Sequence, residues 1–207
     1  AMEKIDVRKA RKSLYTPPAG AFVVVDVPVM QFVMVDGAGD PNTSVAYSAA
    51  VEWLYGVSYA VKFAAKDSLG QDYVVPPLEG LWWADDPQSF VTGDKDKWGW
   101  TMMIMAPDFI DRALFDAALA KTARKRGALP PQTLRFAPYD EGQSLQTLHL
   151  GSYDDEGPVL ARLHDVVMPT TGVTFNGPHH EIYLNDPRKT DAAKLKTILR
   201  QPVKAVG

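Results

Sequence analysis

Apolar side chains recur along this chain with two periods, and the switches between them mark out the elements. Phe22 to Val27 and Gln31 to Val35 are β-rich runs broken by Pro28, and they predict two strands. Gly37-Ala38-Gly39-Asp40-Pro41 is a turn, after which Asn42 or Thr43 is the expected cap of a helix running to about Lys66. Ala46, Ala50, Trp53, Val57, Ala60 and Ala64 form its apolar stripe, with Tyr47, Tyr55 and Tyr59 on an adjoining one. Those tyrosines fit either a core edge with hydroxyls in water or a ligand wall. The period then returns to two. Alternation puts Glu79, Leu81 and Trp83 on one face of a strand, and Leu78 and Trp82 on the other. Trp98 to Met105 is a further strand, with Trp98, Trp100, Met102 and Ile104 sharing a face. A second long helix is expected from Pro107-Asp108 to about Arg126, stopped by Gly127. Lys121, Arg124, Lys125 and Arg126 fall near its C-terminus, where cations suit the helix dipole.

After Leu129-Pro130-Pro131 the outline repeats. Strands are expected at Leu134 to Tyr139 and Leu145 to Leu150, then a Gly/Asp turn from Gly151 to Gly157 and a helix from about Pro158 to Val167. In His179-His180-Glu181-Ile182-Tyr183-Leu184, alternation sends Ile182 and Leu184 to a core and Glu181 and Tyr183 to the opposite face. The tail predicts a short helix around Ala192 to Leu199, with Leu195, Ile198 and Leu199 apolar. Residues 73–87 and the stretch around Glu181 share a proline turn, a glutamate, apolar and aromatic residues and a closing Asp-Pro. The chain therefore reads as an arm over residues 1–20 and one α+β domain over 21–207, made of two strand-helix-strand-strand pseudo-repeats at about 21–127 and 128–207. An antiparallel sheet with helices on one face is expected, and a central ligand cleft on the other, with Glu79 and Glu181 both turned towards it.

Composition narrows the function. Apolar residues make up 46% and charged residues 23%, ordinary for a globular protein with a core. A net charge of −3 gives no field for nucleic acid or an anionic membrane. There is no cysteine, and so no thiol nucleophile or cysteine metal site. No membrane span is expected, and the charged start without an apolar signal core predicts a cytoplasmic protein. The arm holds two prolines and is too short for a helix-turn-helix, so a complete transcription regulator is not expected. Gly37-Ala38-Gly39 is an incomplete phosphate-loop fingerprint. His149, His164, His179 and His180 have no metal-ligand spacing and are expected at turns or the surface; no metal and no cofactor is expected. Four of the five tryptophans lie between positions 82 and 100, a density near Glu79 that fits a ligand wall as well as packing.

Three motifs together resemble a known family. They are Leu78-Glu79-Gly80-Leu81-Trp82-Trp83; Trp100-Thr101-Met102-Met103-Ile104 leading to Ala106-Pro107-Asp108-Phe109; and His179-His180-Glu181-Ile182-Tyr183-Leu184-Asn185-Asp186-Pro187-Arg188. They resemble the stand-alone branch of the GyrI-like small-molecule-binding domains, a duplicated fold of SHS2 type. That branch includes cyclopropanoid cyclopropyl hydrolases, which open the strained ring of DNA-alkylating compounds with an aromatic cage and an acidic residue. The resemblance implies a hydrolase with Glu181 as catalytic group, and Glu79, Trp82, Trp83, Trp100, Tyr183, Tyr55 and Tyr59 around an aromatic ligand. The alternative is a non-catalytic binder of hydrophobic or cationic aromatic drugs. A desolvated Glu181 is expected to have a raised pKa, which would strengthen it as a base.

Overall fold

A computed structural model describes residues 3–86 and 88–207. Pro87, the last residue of the first Asp-Pro, and residues 1 and 2 of the arm lie outside them. The arm is β1 (Lys4–Ile5), α1 (Val7–Ala10) and α2 (Lys12–Tyr15). After β2 (Val23–Val27) comes a first unit: β3 (Met30–Ala38), α3 (Val45–Leu69), β4 (Asp72–Tyr73), β5 (Leu78–Trp83), α4 (Gln88–Thr92) and β6 (Gly99–Ala106). α5 (Arg112–Arg126) and β7 (Arg135–Tyr139) lead to the second: β8 (Gly142–Leu150), α6 (Glu156–Arg162), a π-helical turn at Leu163–Val167, α7 (Met168–Thr171), β9 (Val173–Phe175), β10 (His179–Tyr183) and β11 (Lys196–Ala205).

Each unit forms its own antiparallel trio, β3-β6-β5 and β8-β11-β10. The trios join where β5 pairs antiparallel with β10. The strand preceding each unit pairs with the other unit, β2 on β8 and β7 on β3, giving the order β2-β8-β11-β10-β5-β6-β3-β7. In a flat sheet β2 and β3 would lie six strand spacings, roughly 29 Å, apart. Pro28 and Val29 alone connect them, and a link of that length reaches only about 10 Å. Asp140 and Glu141 tie β7 to β8 in the same way. The sheet therefore curls until its edges approach.

The inner face of the curl gathers Val25, Val27, Phe32, Met34, Leu81, Met103, Ile182 and Ile198, plugged by Val7, Leu14 and Tyr15 of the arm. The arm is anchored by parallel pairing of β1 with β4, and β4 is held to α3 by Lys62, whose ammonium donates to Asp72 at 2.5 Å and to the Tyr73 carbonyl at 2.7 Å. On the outer face α3 and α5 pack over Val33, Val35, Trp100, Met102 and Ile104, while the α6–α7 segment packs over Leu145 and Val203. Ile182, fully buried as its alternation predicts, packs on the inner face. Ile182→Ala is expected to cost roughly 2–5 kcal/mol in denaturant unfolding, the usual range for a core truncation, with ligand affinity little changed.

Several boundaries and one element differ from expectation. The cap of α3 is Ser44, whose hydroxyl accepts from Tyr47 N–H, because Asp40 ties Asn42 into the preceding turn. α5 starts later than Pro107: Pro107 to Ile110 makes a turn, and Asp111 caps the helix by accepting from Leu114 N–H at 2.8 Å. The tail is not a helix beyond a short turn at Ala192–Lys194; Lys196–Ala205 is β11, in the middle of the second trio. Its spacing misleads because β11 is buried on both faces, Ile198 and Arg200 inward and Leu199 and Gln201 outward, which erases visible alternation. The cleft, too, lies on the helical face and not opposite it, since the arm and the inner core fill the other side.

Candidate ligand and catalytic site

The site is built on the β5–β10 seam. Its register sets Trp82 opposite His179, Leu81 opposite His180, Gly80 opposite Glu181 and Glu79 opposite Ile182. Directly opposed residues share a face. Leu78, Gly80, Trp82, His179, Glu181 and Tyr183 therefore turn outward, and Glu79, Leu81, His180 and Ile182 inward. Gly80 is required at its position. A Cβ there would come within 2.6 Å of Trp82 Nε1 and 3.0 Å of Met102 Sδ. Without one, the Trp82 indole folds across the strand and donates to the Tyr183 hydroxyl at 3.0 Å. Tyr183 in turn donates to Glu181 Oε1 at 3.1 Å, and His179 Nε2 lies 2.8 Å from Glu181 Oε2. Gly80→Ala is expected to displace the Trp82 ring, shift the tryptophan emission and weaken ligand binding while the strand pairing persists.

Over this floor lies a cleft of about 850 Å³ between α3 of one unit and α6 of the other. That volume suits a drug-sized ligand. Tyr47, Tyr55 and Tyr59 form one wall, and Tyr153, Glu156 and Leu160 another. The rings brace one another: Trp82 meets Trp98 edge-on at 5.5 Å and Tyr47 at 6.1 Å, and Tyr153 meets Tyr183 edge-on at 5.9 Å.

The carboxyls differ in state. Burial opposes the charge of Glu181, but His179, Glu156 and Tyr183 outweigh it and hold the group below the usual carboxylate range. Burial pushes Glu156 well above that range, and the neighbouring Glu181 charge and hydrogen bond push it further. Glu181 is thus ionised at neutral pH, while Glu156 holds its proton more tightly than an ordinary carboxyl. Burial, then Glu181, raises Tyr183 as well, so it keeps its proton. The expected rise in pKa belongs to Glu156, because Glu181 has donors around it and Glu156 has an anion.

Of the residues singled out from sequence, Glu181, Trp82, Tyr183, Tyr55 and Tyr59 line the cleft. Glu79, Trp83 and Trp100 are not in its lining. Glu79 is fully buried on the inner face, with Oε1 2.7 Å from His180 Nε2, so the two glutamates point to opposite faces. Trp83 lies against Gly99 at the strand end, 42% exposed. Trp100 is fully buried behind Tyr47, seated over Gly37. The histidines are not surface groups: His149, His179 and His180 are buried, and His164 is partly buried edge-on to Phe175. His179 and Glu156 are the site residues that sequence reasoning missed. The alternation that pairs Glu181 with Tyr183 also pairs it with His179. Glu156 follows Asp154 and Asp155 in an acidic turn that reads as solvated. Among the described residues no three His, Asp or Glu side chains gather as a metal site, and no helix is long and apolar enough to cross a membrane.

A curled antiparallel sheet of two strand-helix-strand-strand units, with an acidic aromatic cleft at their seam, defines a class of small-molecule-binding domains. The chain belongs to the GyrI-like small molecule binding domain family, whose model matches residues 21–204. Among solved structures, an uncharacterized conserved protein from Listeria innocua is 37% identical with a TM-score of 0.87, covering 97% of this chain and 100% of that one. A hydrolase from Listeria innocua is 34% identical with a TM-score of 0.84, covering 98% and 100%. A further Listeria innocua hydrolase is 35% identical with a TM-score of 0.83, covering 97% and 100%. No curated protein matches the sequence.

Proposed function

We propose that the protein binds flat aromatic compounds in this cleft and hydrolyses the cyclopropane ring of DNA-alkylating members of that class, which would detoxify them. The observation that carries this reading is the buried, ionised Glu181 at the floor of an aromatic-walled cleft. Similarity to the two Listeria hydrolases supports a hydrolytic reaction. In a spiro-cyclopropane conjugated to a dienone, water attacks the ring methylene. A C–O bond forms, a ring C–C bond breaks, and its electron pair moves to the dienone oxygen, which ends as a phenol. Glu181 takes the proton that the water releases, and Tyr183 and His179 fix the carboxylate's orientation. The rings hold the substrate flat and exclude bulk water.

Incubation with a cyclopropanoid alkylator, followed by mass spectrometry, is the test: a product heavier by one water is expected. Bound but unchanged ligand favours the second reading, a binder of flat cations, for which the anionic Glu181 among aromatic faces is also suited. Trp82→Ala is expected to raise Kd roughly tenfold, about 1.4 kcal/mol, and to leave kcat little changed. A stacking wall holds ground and transition states alike.

A further inference from the structure

Glu156 stands at the start of α6, brought against β10 from the helical layer, and its side chain is buried in the cleft wall. Its Oε2 is buried and, as a carboxylate oxygen, has no hydrogen-bond partner among the described residues. Its carboxyl also hydrogen-bonds Glu181, and a bond between two carboxyls needs a proton on one of them. Two buried carboxyls in contact cannot both ionise without strong repulsion. We infer that Glu156 and Glu181 work as one unit carrying a single proton, with Glu156 as the positioning residue that keeps Glu181 ionised and aimed at the attacking water.

This inference rests on the hydrolytic reading for its catalytic part alone. When Glu181 takes the water's proton, the pair becomes doubly protonated; it returns to one proton as the phenolate product gains its own through solvent. The surroundings fit one charge. His179 and Tyr183 contact Glu181 from β10, while Lys95 and Asp154, which lie 3.6 Å apart, face Glu156 with opposite effects. Burial and the nearby Glu181 charge raise Tyr153, and burial, Tyr153 and Glu181 raise Tyr47, so neither adds a charge.

Two measurements test it. In ¹³C-carboxyl NMR of the free, glutamate-labelled protein, one glutamate is expected to remain protonated through neutral pH. That resonance should be missing in Glu156→Gln, and in Glu181→Gln it should titrate lower, the anionic neighbour being gone. A Glu156 that titrates in the ordinary carboxylate range overturns the inference, whether or not any substrate turns over. In turnover assays Glu156→Leu is expected to lose about tenfold or more, and Glu156→Gln, which keeps a neutral donor, to stay within a few-fold of the parent. Equal loss in both variants overturns the positioning role. Absence of ring opening by the parent protein sinks the hydrolytic reading alone and leaves the titration as the judge of the pair.

Discussion

Glu181→Gln is expected to lower turnover by ~10²–10⁴-fold, the usual cost of losing a general base, without unfolding the protein. Glutamine keeps the shape, and its carbonyl still accepts from Tyr183. What disappears is the group that takes the water's proton. Stability should fall somewhat, because the depressed pKa of Glu181 means that the folded site favours its charge, while the side chain buries no apolar surface. Neutral flat ligands should bind about as before, and cationic ones more weakly. The pH profile of the parent gives a second check. Since the pKa of Glu181 is held below the ordinary value of about 4.3, the base stays ionised as pH falls through that region, and activity should persist there until the group takes up its proton. Single-turnover mass spectrometry beside thermal unfolding separates the outcomes. A glutamine variant that unfolds, together with a silent Ile182→Ala, would mean the two faces of β10 are exchanged, as a one-residue slip of register does.

Much of this architecture is legible in the sequence where one face of an element differs from the other. The alternation in β10 places Ile182 in the core and Glu181 with Tyr183 in the cleft, and the spacing of Tyr47, Tyr55 and Tyr59 runs along the cleft side of α3. The helix stop at Gly127 is equally direct, since that residue adopts φ 62°. Legibility fails where two-sided burial hides the period, as in β11. It fails again where the internal echo is trusted above local alternation. The pattern of β5 already set Glu79 and Trp83 opposite Trp82, but the likeness to the Glu181 stretch suggested that both glutamates meet. The register of the seam decides otherwise, because Glu79 faces Ile182 and not Glu181. Glu156 gains its chemistry from a cross-element meeting, α6 against β10, that no local window contains, whereas His179 stood within the alternation of β10 itself.

The inner face yields the largest expected effect on stability. His180 is fully buried between two carboxylates, with Nδ1 2.8 and 2.9 Å from the oxygens of Glu141 and Nε2 2.7 Å from Glu79. Arg200 completes the group, donating to Glu141 at 3.2 Å and to the Leu14 carbonyl of the arm at 2.8 Å. Two cations thus balance two anions. Burial works against the charge of His180, but Glu141 and Glu79 outweigh it and raise its pKa to about 9. That lies above the unfolded value of about 6.5. The stabilisation is therefore complete below about pH 6.5 and is lost as pH rises through about 9. Glu141 runs the other way: burial again opposes ionisation, His180 and Arg200 overcome it, and its share is lost in acid. His180→Leu strands the two buried glutamates with Arg200 alone, and the expected cost is roughly 3–5 kcal/mol, as for breaking a buried ion pair from one side. The pH dependence should change with it. The parent's loss from neutral towards pH 9 should vanish in the variant, and on the acid side the sign should reverse: the parent loses the Glu141 share as pH falls, whereas the variant should gain stability there, because uncompensated buried carboxylates take up protons. Denaturant unfolding across pH, with limited proteolysis of the first 16 residues to report on the arm, reads both effects; parallel curves for the two proteins would show that His180 carries no buried charge.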